Sequence, residues 1–161
     1  RKAQAQLRLE KEASSKVFYD LHKMTFDRQK ISVPFSETFF EKLDKGILKN
    51  QVGQKFAAKD IDGNIHAVAY LLWDSGRAYY YLAGENPVFR ASGASIFLIW
   101  EAIKFTQVEL GLSTFDFAGS MMQNIEAIRR QFGARQVPYF HIYKSKNRLL
   151  DMAINLLKQR M

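Results

Sequence analysis

The sequence predicts an α/β domain with a mixed central sheet and helices on both faces of that sheet. Three strand-like runs separated by short polar turns predict an antiparallel meander. A long helix and a short strand follow them, and this strand–helix–strand order predicts a parallel pair beside the meander. The chain has 161 residues, 47% of them hydrophobic and 14% aromatic, which suits one domain with a substantial core.

Two amphipathic helices precede the meander. Ser14 or Ser15 is placed to cap a helix that runs to about Gln29. Pro34 ends the connection, and Ser36 is placed to cap the second helix. The spacing of apolar residues predicts which side chains face the core: Val17, Phe18, Leu21, Met24 and Thr25 on the first helix, and Phe39, Phe40, Leu43 and Ile47 on the second.

The meander occupies residues 54–60, 65–74 and 78–84, with turns between the strands. Its middle strand is apolar at successive positions, so we expect it to be buried on both faces. Trp73 at its end is expected in the core. In the third strand, Tyr80 should face opposite to Tyr79 and Tyr81, because side chains alternate along a strand.

The remainder alternates helix and strand. Residues 95–111 predict a long helix that ends at Gly111. The residues expected to form its buried stripe are Ile96, Ile99, Trp100, Ile103 and Leu110. The segments that follow are a strand at 113–117, a helix at 124–132 ended by Gly133, a strand at 137–144 and an amphipathic helix at 146–160.

Composition excludes several kinds of chemistry. The chain has no cysteine, which excludes disulfides, thiolate catalysis and cysteine-ligated metals. The three histidines show no metal-ligand spacing, so we expect no metal, and His66 and His141 are expected to be structural. We see no signal peptide and no apolar run of the roughly 20 residues that span a bilayer, and we therefore expect a cytoplasmic protein.

The net charge of +8 favours an anionic partner. Nucleic acid, a phosphorylated cofactor and anionic lipid headgroups all satisfy it, and a solvated basic surface explains it equally well. The opening RKAQAQLRLEKE has no initiator Met. We expect residues 1–13 to be a linker or the tail of a missing N-terminal half, and residues 14–161 to form the domain.

The predicted order of elements resembles the GNAT acyltransferase fold, in which a first strand precedes the two helices. That strand would lie here in the opening segment or in missing chain. The segment Arg90-Ala91-Ser92-Gly93-Ala94-Ser95 is similar to the family's cofactor loop, Gln/Arg-x-x-Gly-x-Gly/Ala, with Ser at the last position. The resemblance implies that Arg90, Ser92, Gly93, Ala94 and Ser95 bind the phosphates of acyl-CoA. A glycine beside a helix N-terminus suits a phosphate on physical grounds too, although Ser92 or Ser95 can equally be an ordinary cap.

Two further motifs resemble the Fem-type branch of the GNAT superfamily, which contains the peptidoglycan bridge aminoacyltransferases. Phe115–Ser120 is similar to that branch's Asp-Phe-x-Gly-Ser segment, and Ile128–Gly133 to its Phe-Lys-x-x-Phe-Gly segment. The resemblance implies that the chain is the second of two GNAT-like halves. The donor would be acyl-CoA or aminoacyl-tRNA, and the acceptor an amine, such as that of a peptidoglycan precursor. The partners would be tRNA, the missing half or a second copy of the chain.

These motifs select the candidate site residues. Asp116 is placed at the end of a strand to accept a proton or orient the amine, or else to satisfy backbone N–H groups of its turn. Gly119 and Ser120 are candidates for substrate binding, with helix capping the alternative for Ser120. Arg129 matches the motif lysine and would hold a carboxylate or phosphate, unless it belongs to a solvated basic face.

Three more residues complete the candidate site. Tyr139 is the candidate general acid, as a tyrosine is in many GNAT enzymes. Tyr80 is expected to line the groove or pack in the core, and Glu85 is a possible base. The function this predicts is transfer of an acyl or aminoacyl group to an amine. The alternatives are a non-catalytic half that serves in substrate binding or assembly, and an RNA-binding module.

Overall fold

The computed structural model describes residues 6–119 and 123–138. In that part of the chain, five strands form one sheet in the order β1-β2-β3-β4-β5. The strands are Arg8–Glu10, Gly53–Lys59, Ile65–Trp73, Ala78–Glu85 and Phe115–Asp116, and the α-helices α1 to α4 are Ser15–Arg28, Glu37–Lys49, Ala94–Val108 and Gln123–Gln131. Neighbouring strands are antiparallel from β1 to β4, whereas β4 and β5 are parallel. The predicted mixed sheet is confirmed.

The chain divides into two compact units, Arg1–Gln123 and Asn124–Met161. The first contains the sheet and helices α1 to α3, and nearly all of α4 belongs to the second. Apart from residues 137 and 138, the strand predicted at 137–144 and the helix predicted at 146–160 lie outside the described residues. A single domain over 14–161 stays a prediction.

Both faces of the sheet carry an apolar layer, and alternation along β3 assigns its side chains to them. Ala67, Ala69 and Leu71 pack with α3 on one face. Val68 and Tyr70 pack with α1 and α2 on the other. The prediction that the middle strand is buried on both sides is therefore confirmed.

Helices α1 and α2 begin where the sequence predicts. The Ser14 hydroxyl accepts a hydrogen bond from the N–H of Val17 at 3.2 Å, and the Ser36 hydroxyl accepts one from Phe39 at 3.2 Å. Each cap thus satisfies one of the N–H groups that a helix leaves without a partner at its start.

The predicted inner face of α3 is confirmed for Ile99, which is buried, and for Leu110, which packs against the core, but it is wrong for two other residues. Trp100 and Ile96 remain 46% and 43% exposed, although both were expected in the buried stripe. The helix instead contacts the sheet through a face that includes Ala94 and Ala102, and the opposing strands also present alanines there. Phe97, Leu98 and Phe105 are buried on that face as well, and Trp100 lies outside it. On α2 and α1, Phe39 and Met24 are also more exposed than expected.

The first strand lies within the opening segment. Arg8–Glu10 pairs with the edge of β2, and Leu7 and Ala13 are buried on either side of it. Residues 8–10 are thus part of the sheet, as the GNAT resemblance allows, although residues 1–13 are also predicted to be a linker or the tail of a missing half. Three residues are too short for a period-2 pattern to be recognised in the sequence.

Candidate functional site

The segment predicted to bind phosphate forms a 3₁₀ helix, Pro87–Ser92, joined directly to α3. Gly93 links them with a φ of +74°, in the left-handed region that favours glycine. The Ser92 hydroxyl accepts from the N–H of Ala94 at 3.3 Å. The N–H of Phe97 donates to the carbonyl of Gly93 at 3.0 Å, whereas a helix offers no internal partner to the N–H groups of Ser95 and Ile96. The positive end of the α3 dipole therefore lies at this junction.

The 3₁₀ helix is fixed to strand β3. The ring of Phe89 stacks on His66 with centroids 4.1 Å apart and planes 1° from parallel. The N–H of Asn86 donates to the carbonyl of His66 at 2.9 Å. His66 Nε2 lies 3.0 Å from Asp60 Oδ2. Hydrogen bonds from Asn64, and then from His66, lower the pKa of Asp60 to about 2. His66 therefore has the structural role that the sequence predicts.

Glu85, at the end of β4, contacts two other predicted site residues, Ser95 and Arg90. Its Oε1 accepts a hydrogen bond from the Ser95 hydroxyl at 2.7 Å, and its Oε2 lies 3.6 Å from Arg90 Nε. Its backbone N–H donates to the Thr25 hydroxyl on α1 at 3.2 Å. Glu85 is thus held between α1 and the first turn of α3, and its carboxylate faces the groups expected to contact phosphate.

Strand β4 is irregular next to this point. Tyr70 of β3 pairs with Leu82 and Leu71 pairs with Tyr80, so Tyr81 is an extra residue in β4, a β-bulge. On its other side, β4 pairs in parallel with β5 through Ala78↔Phe115 and Tyr79↔Asp116. The bulge lies just beyond the last of these pairs, toward the carboxyl ends of the parallel strands, where open α/β sheets place their ligands.

Asp116 forms the turn that follows β5. Its Oδ1 accepts from the N–H of Ala118 at 2.8 Å, and its Oδ2 lies 3.5 Å from an Arg77 guanidinium nitrogen. Ala118 and Gly119 both have positive φ, +56° and +72°. These contacts fit the second alternative for Asp116, in which its carboxylate accepts hydrogen bonds from backbone N–H groups of its own turn. A catalytic role stays a proposal.

Asp116 and the Glu85 cluster lie at different points along β4. Asp116 is in register with Tyr79, and Glu85 is six residues further along the strand. At about 3.3 Å per residue, roughly 20 Å separates the two positions. The predicted residues of the first unit thus form two groups, one at each end of β4.

The tyrosines of β4 differ in their surroundings. Tyr80 packs toward the α3 face, with its ring 6.2 Å from Phe115 and 6.3 Å from Phe117. The Tyr79 hydroxyl donates to Asp74 Oδ2 at 2.8 Å, and this bond to a carboxylate raises the pKa of Tyr79. The ring contacts of Tyr80 are those of core packing, and a role of Tyr80 in lining the groove stays a proposal.

Arg129 belongs to the second unit. It lies on α4 and is half-buried, whereas the neighbouring Arg130 is exposed and pairs with Glu126 one turn earlier. Gly133, with a φ of +81°, follows the end of the helix as predicted. Ser120 and Tyr139 lie outside the described residues, so their roles stay predictions.

Sequence reasoning missed two residues that shape this region, Thr25 and Phe89. Thr25 was expected only to face the core, and Phe89 was one residue of a loop. Their contacts with Glu85 and His66 connect segments far apart in the chain. No local sequence pattern predicts contacts between such distant segments.

A family model and solved structures identify the fold. The sequence model described as "Acetyltransferase (GNAT) domain" matches residues 1–123, which coincide with the first compact unit. The chain belongs to the GNAT acetyltransferase family. None of the curated proteins matches the chain.

Three solved structures illustrate the likeness of this GNAT domain. A predicted acetyltransferase with acetyl-CoA from Clostridium acetobutylicum has a TM-score of 0.67 at 12% identity, over 86% of this chain and 96% of that one. The aminoglycoside antibiotic 6'-N-acetyltransferase AAC(6')-IG from Acinetobacter haemolyticus has a TM-score of 0.62 at 13% identity, over 87% and 99%. Spermidine N-acetyltransferase from Vibrio cholerae, in complex with CoA and spermine, has 0.52 at 18% identity, over 67% and 68%. At these identities the likeness concerns the fold.

The described residues contain neither a helix that could span a membrane nor a cluster that could hold a metal ion. Among the helices within residues 6–119 and 123–138, none has the length and apolar character needed to cross a bilayer. The same residues contain no group of three or more histidine and carboxylate side chains arranged to hold a metal ion.

Proposed function

We propose that this GNAT domain is an N-acyltransferase that transfers an acyl group from acyl-CoA to an amine. The observation that carries the proposal is the junction at Gly93. There the N-terminus of α3, two serine hydroxyls and the Arg90 guanidinium meet beside the end of β4. Two of the solved relatives hold acetyl-CoA or CoA, which supports the same class of donor.

The groups at this junction suit a pyrophosphate. The positive φ of Gly93 turns the chain so that α3 begins at once, and the free N–H groups of a helix start are good phosphate donors. Arg90 is exposed and lies 3.6 Å from Glu85, the geometry of a weak ion pair that a phosphate can replace. Ser95 offers a hydroxyl from the first turn of the helix.

The reaction is nucleophilic attack by the amine on the thioester carbonyl, followed by loss of the CoA thiolate. The amine must lose a proton, the oxyanion must be stabilised, and both substrates must be held together. We assign Asp116 to orienting or deprotonating the amine and Tyr139 to protonating the leaving thiolate. Tyr80, Gly119 and Ser120 are assigned to the acceptor side, and Arg129 to an anionic group of either substrate.

The Fem-like motifs refine the proposal. On their account the chain is the second half of a two-part acyltransferase, working in the cytoplasm, whose acceptor is an amine of a peptidoglycan precursor. The partner of this half is then the first half or a second copy.

The test is release of CoA thiol from acetyl-CoA and from a longer acyl-CoA in the presence of a panel of amines. Because the chain contains no cysteine, a thiol reagent gives no signal from the protein itself. We expect amine-dependent thiol release that Arg90→Ala weakens through a higher KM for the donor. The proposal would be contradicted if neither the chain alone nor its complex with the first half bound acyl-CoA or released CoA thiol.

One observation favours a second donor, aminoacyl-tRNA. Residues 124–161 contain eight Lys or Arg and two Asp or Glu, whereas residues 6–119 contain fourteen of each. The positive excess therefore belongs mainly to the segment that contains Arg129, and a polyanion such as tRNA would be drawn to that segment. If charged tRNA raises the melting temperature and acyl-CoA does not, the donor is aminoacyl-tRNA. If neither does, the chain alone binds neither donor, which favours the alternative of a non-catalytic half.

A further inference from the structure

We propose that Glu85 is an internal counter-ion that competes with the donor's phosphates and so sets the affinity and selectivity of this site for its donor. The inference rests on the proposed function, since it concerns the same junction at Gly93. It assigns Glu85 a role other than that of a base.

Glu85 contacts the groups that are expected to bind phosphate. Its two carboxylate oxygens face Ser95, at 2.7 Å, and Arg90, at 3.6 Å. These are the hydroxyl and the guanidinium that a pyrophosphate would use. A carboxylate in this position already neutralises part of the positive charge at the start of α3.

Glu85 is also held in place by its backbone. Its backbone N–H donates to Thr25 on α1, and it pairs with Ala67 on β3. The preceding Gly84 lies so close to α1 that an added Cβ would be 2.5 Å from the backbone of Leu21 and His22. The end of β4 is therefore fixed from two sides, and the side chain of Glu85 reaches Ser95 from a rigid base.

Binding of a phosphate at this junction requires an exchange of partners. A phosphate that enters the junction must take Arg90 and Ser95 from Glu85, and the displaced carboxylate stays nearby as a like charge. Only a donor with enough charge or further contacts replaces it favourably. Glu85 thereby discriminates against weakly charged ligands and lowers the affinity for those that bind.

The experiment compares Kd values for acetyl-CoA by calorimetry, using Glu85→Gln and the matched control Glu101→Gln. Glutamine keeps an acceptor for Ser95 and removes the charge. Glu101 pairs with Lys104 further along α3, so the control changes the net charge equally but outside the junction. We expect Glu85→Gln to lower the Kd about fivefold to tenfold relative to the wild type, and Glu101→Gln to leave it within about twofold. Glu85→Ala should shift the Kd in the same direction as Glu85→Gln.

The remaining outcomes separate this inference from the proposed function. If Glu85→Gln matches its control, or binds more weakly, while Arg90→Ala weakens binding, the donor site stands and the role of Glu85 as a competitor is overturned. If none of these proteins binds acetyl-CoA, the donor site and the role of Glu85 both fail.

Discussion

Asp44 is a buried carboxylate whose partners come from three other elements. It is 1% exposed and accepts hydrogen bonds from Lys55 at 2.5 Å, from Tyr70 at 2.6 Å and from Ser15. Burial alone would raise the pKa of Asp44, but the hydrogen bonds from Lys55, Ser15 and Tyr70 outweigh it and lower the pKa. The network links α1, α2, β2 and β3 on the face opposite α3.

Removing Asp44 from its buried ion pair with Lys55 should lower the stability of the fold. Asp44→Leu leaves the Lys55 ammonium buried without its counter-ion, and we expect a loss of about 3–5 kcal/mol in the free energy of unfolding, measured in urea. The double variant Asp44→Leu/Lys55→Met should recover most of it. The control is Asp20→Leu, which breaks the exposed Lys16–Asp20 pair and should cost under about 1 kcal/mol. Equal losses in the two single variants would refute the prediction.

His22 makes stability depend on pH. Its Nδ1–H donates to the carbonyl of Ala83 at 2.7 Å, and its buried Nε2 has no hydrogen-bond partner among the described residues. Burial lowers the pKa of His22 below 6.5, against the smaller raising effect of the bond to Ala83. At pH values just below 6.5, the unfolded chain therefore binds more protons than the folded chain does. The stabilisation is full above about pH 6.5 and is lost as the pH falls through the folded-state pKa.

We expect the free energy of unfolding of the wild type to fall as the pH is lowered from about 6.5. His22→Phe, whose ring suits the surrounding cluster of Phe18, Phe26 and Phe35, should flatten that dependence. Urea titrations at several pH values measure both slopes. Parallel slopes in the two proteins would show that another group is responsible.

At the scale of elements, α1 and β4 approach each other through Gly84. A Cβ there would lie 2.5 Å from His22 N, far inside contact distance. We expect Gly84→Ala to push α1 from the strand and to cost about 1–3 kcal/mol. Gly46→Ala, at an open position in α2, should instead stabilise by about 0.5–1 kcal/mol. Thermal unfolding of both variants tests this, and an equal effect would contradict the close approach.

The elements that the sequence predicted best are those with a strong local signal. Ser14 and Ser36 mark the starts of α1 and α2, and the strands of the meander deviate by one residue at most at each end. The face of α3 is predicted only in part because this helix carries large apolar side chains on most of its sides. Periodicity therefore does not separate the buried Phe97, Leu98 and Phe105 from the exposed Ile96 and Trp100.

The part of the candidate site that has a local sequence signal was also predictable. The positive φ of Gly93 and the start of α3 follow from the local sequence, since glycine tolerates that conformation and a helix follows. The contact of Glu85 with Ser95 depends on the register of β4 and on α1, which local patterns do not carry. Long-range packing thus determined which of the predicted residues meet.

At the scale of the whole molecule, charge is distributed unevenly along the chain. Residues 6–119 balance fourteen basic against fourteen acidic side chains, whereas residues 124–161 have eight against two. If tRNA is a partner, its affinity should depend on the second segment. Each phosphate contact contributes about 0.9 to the slope of log K against log salt, because binding releases counter-ions.

The variant Arg130→Gln/Arg135→Gln should therefore weaken binding of uncharged tRNA and lower that slope by about 1–2. Lys42→Gln/Lys45→Gln is the matched control, since it removes the same charge from exposed positions on α2. Fluorescence titrations at several salt concentrations give both slopes. If the two double variants lose affinity equally, tRNA responds to net charge alone, and the second segment provides no specific surface for it. A loss confined to the arginine variant would locate the contact in residues 124–161, because both variants have the same net charge.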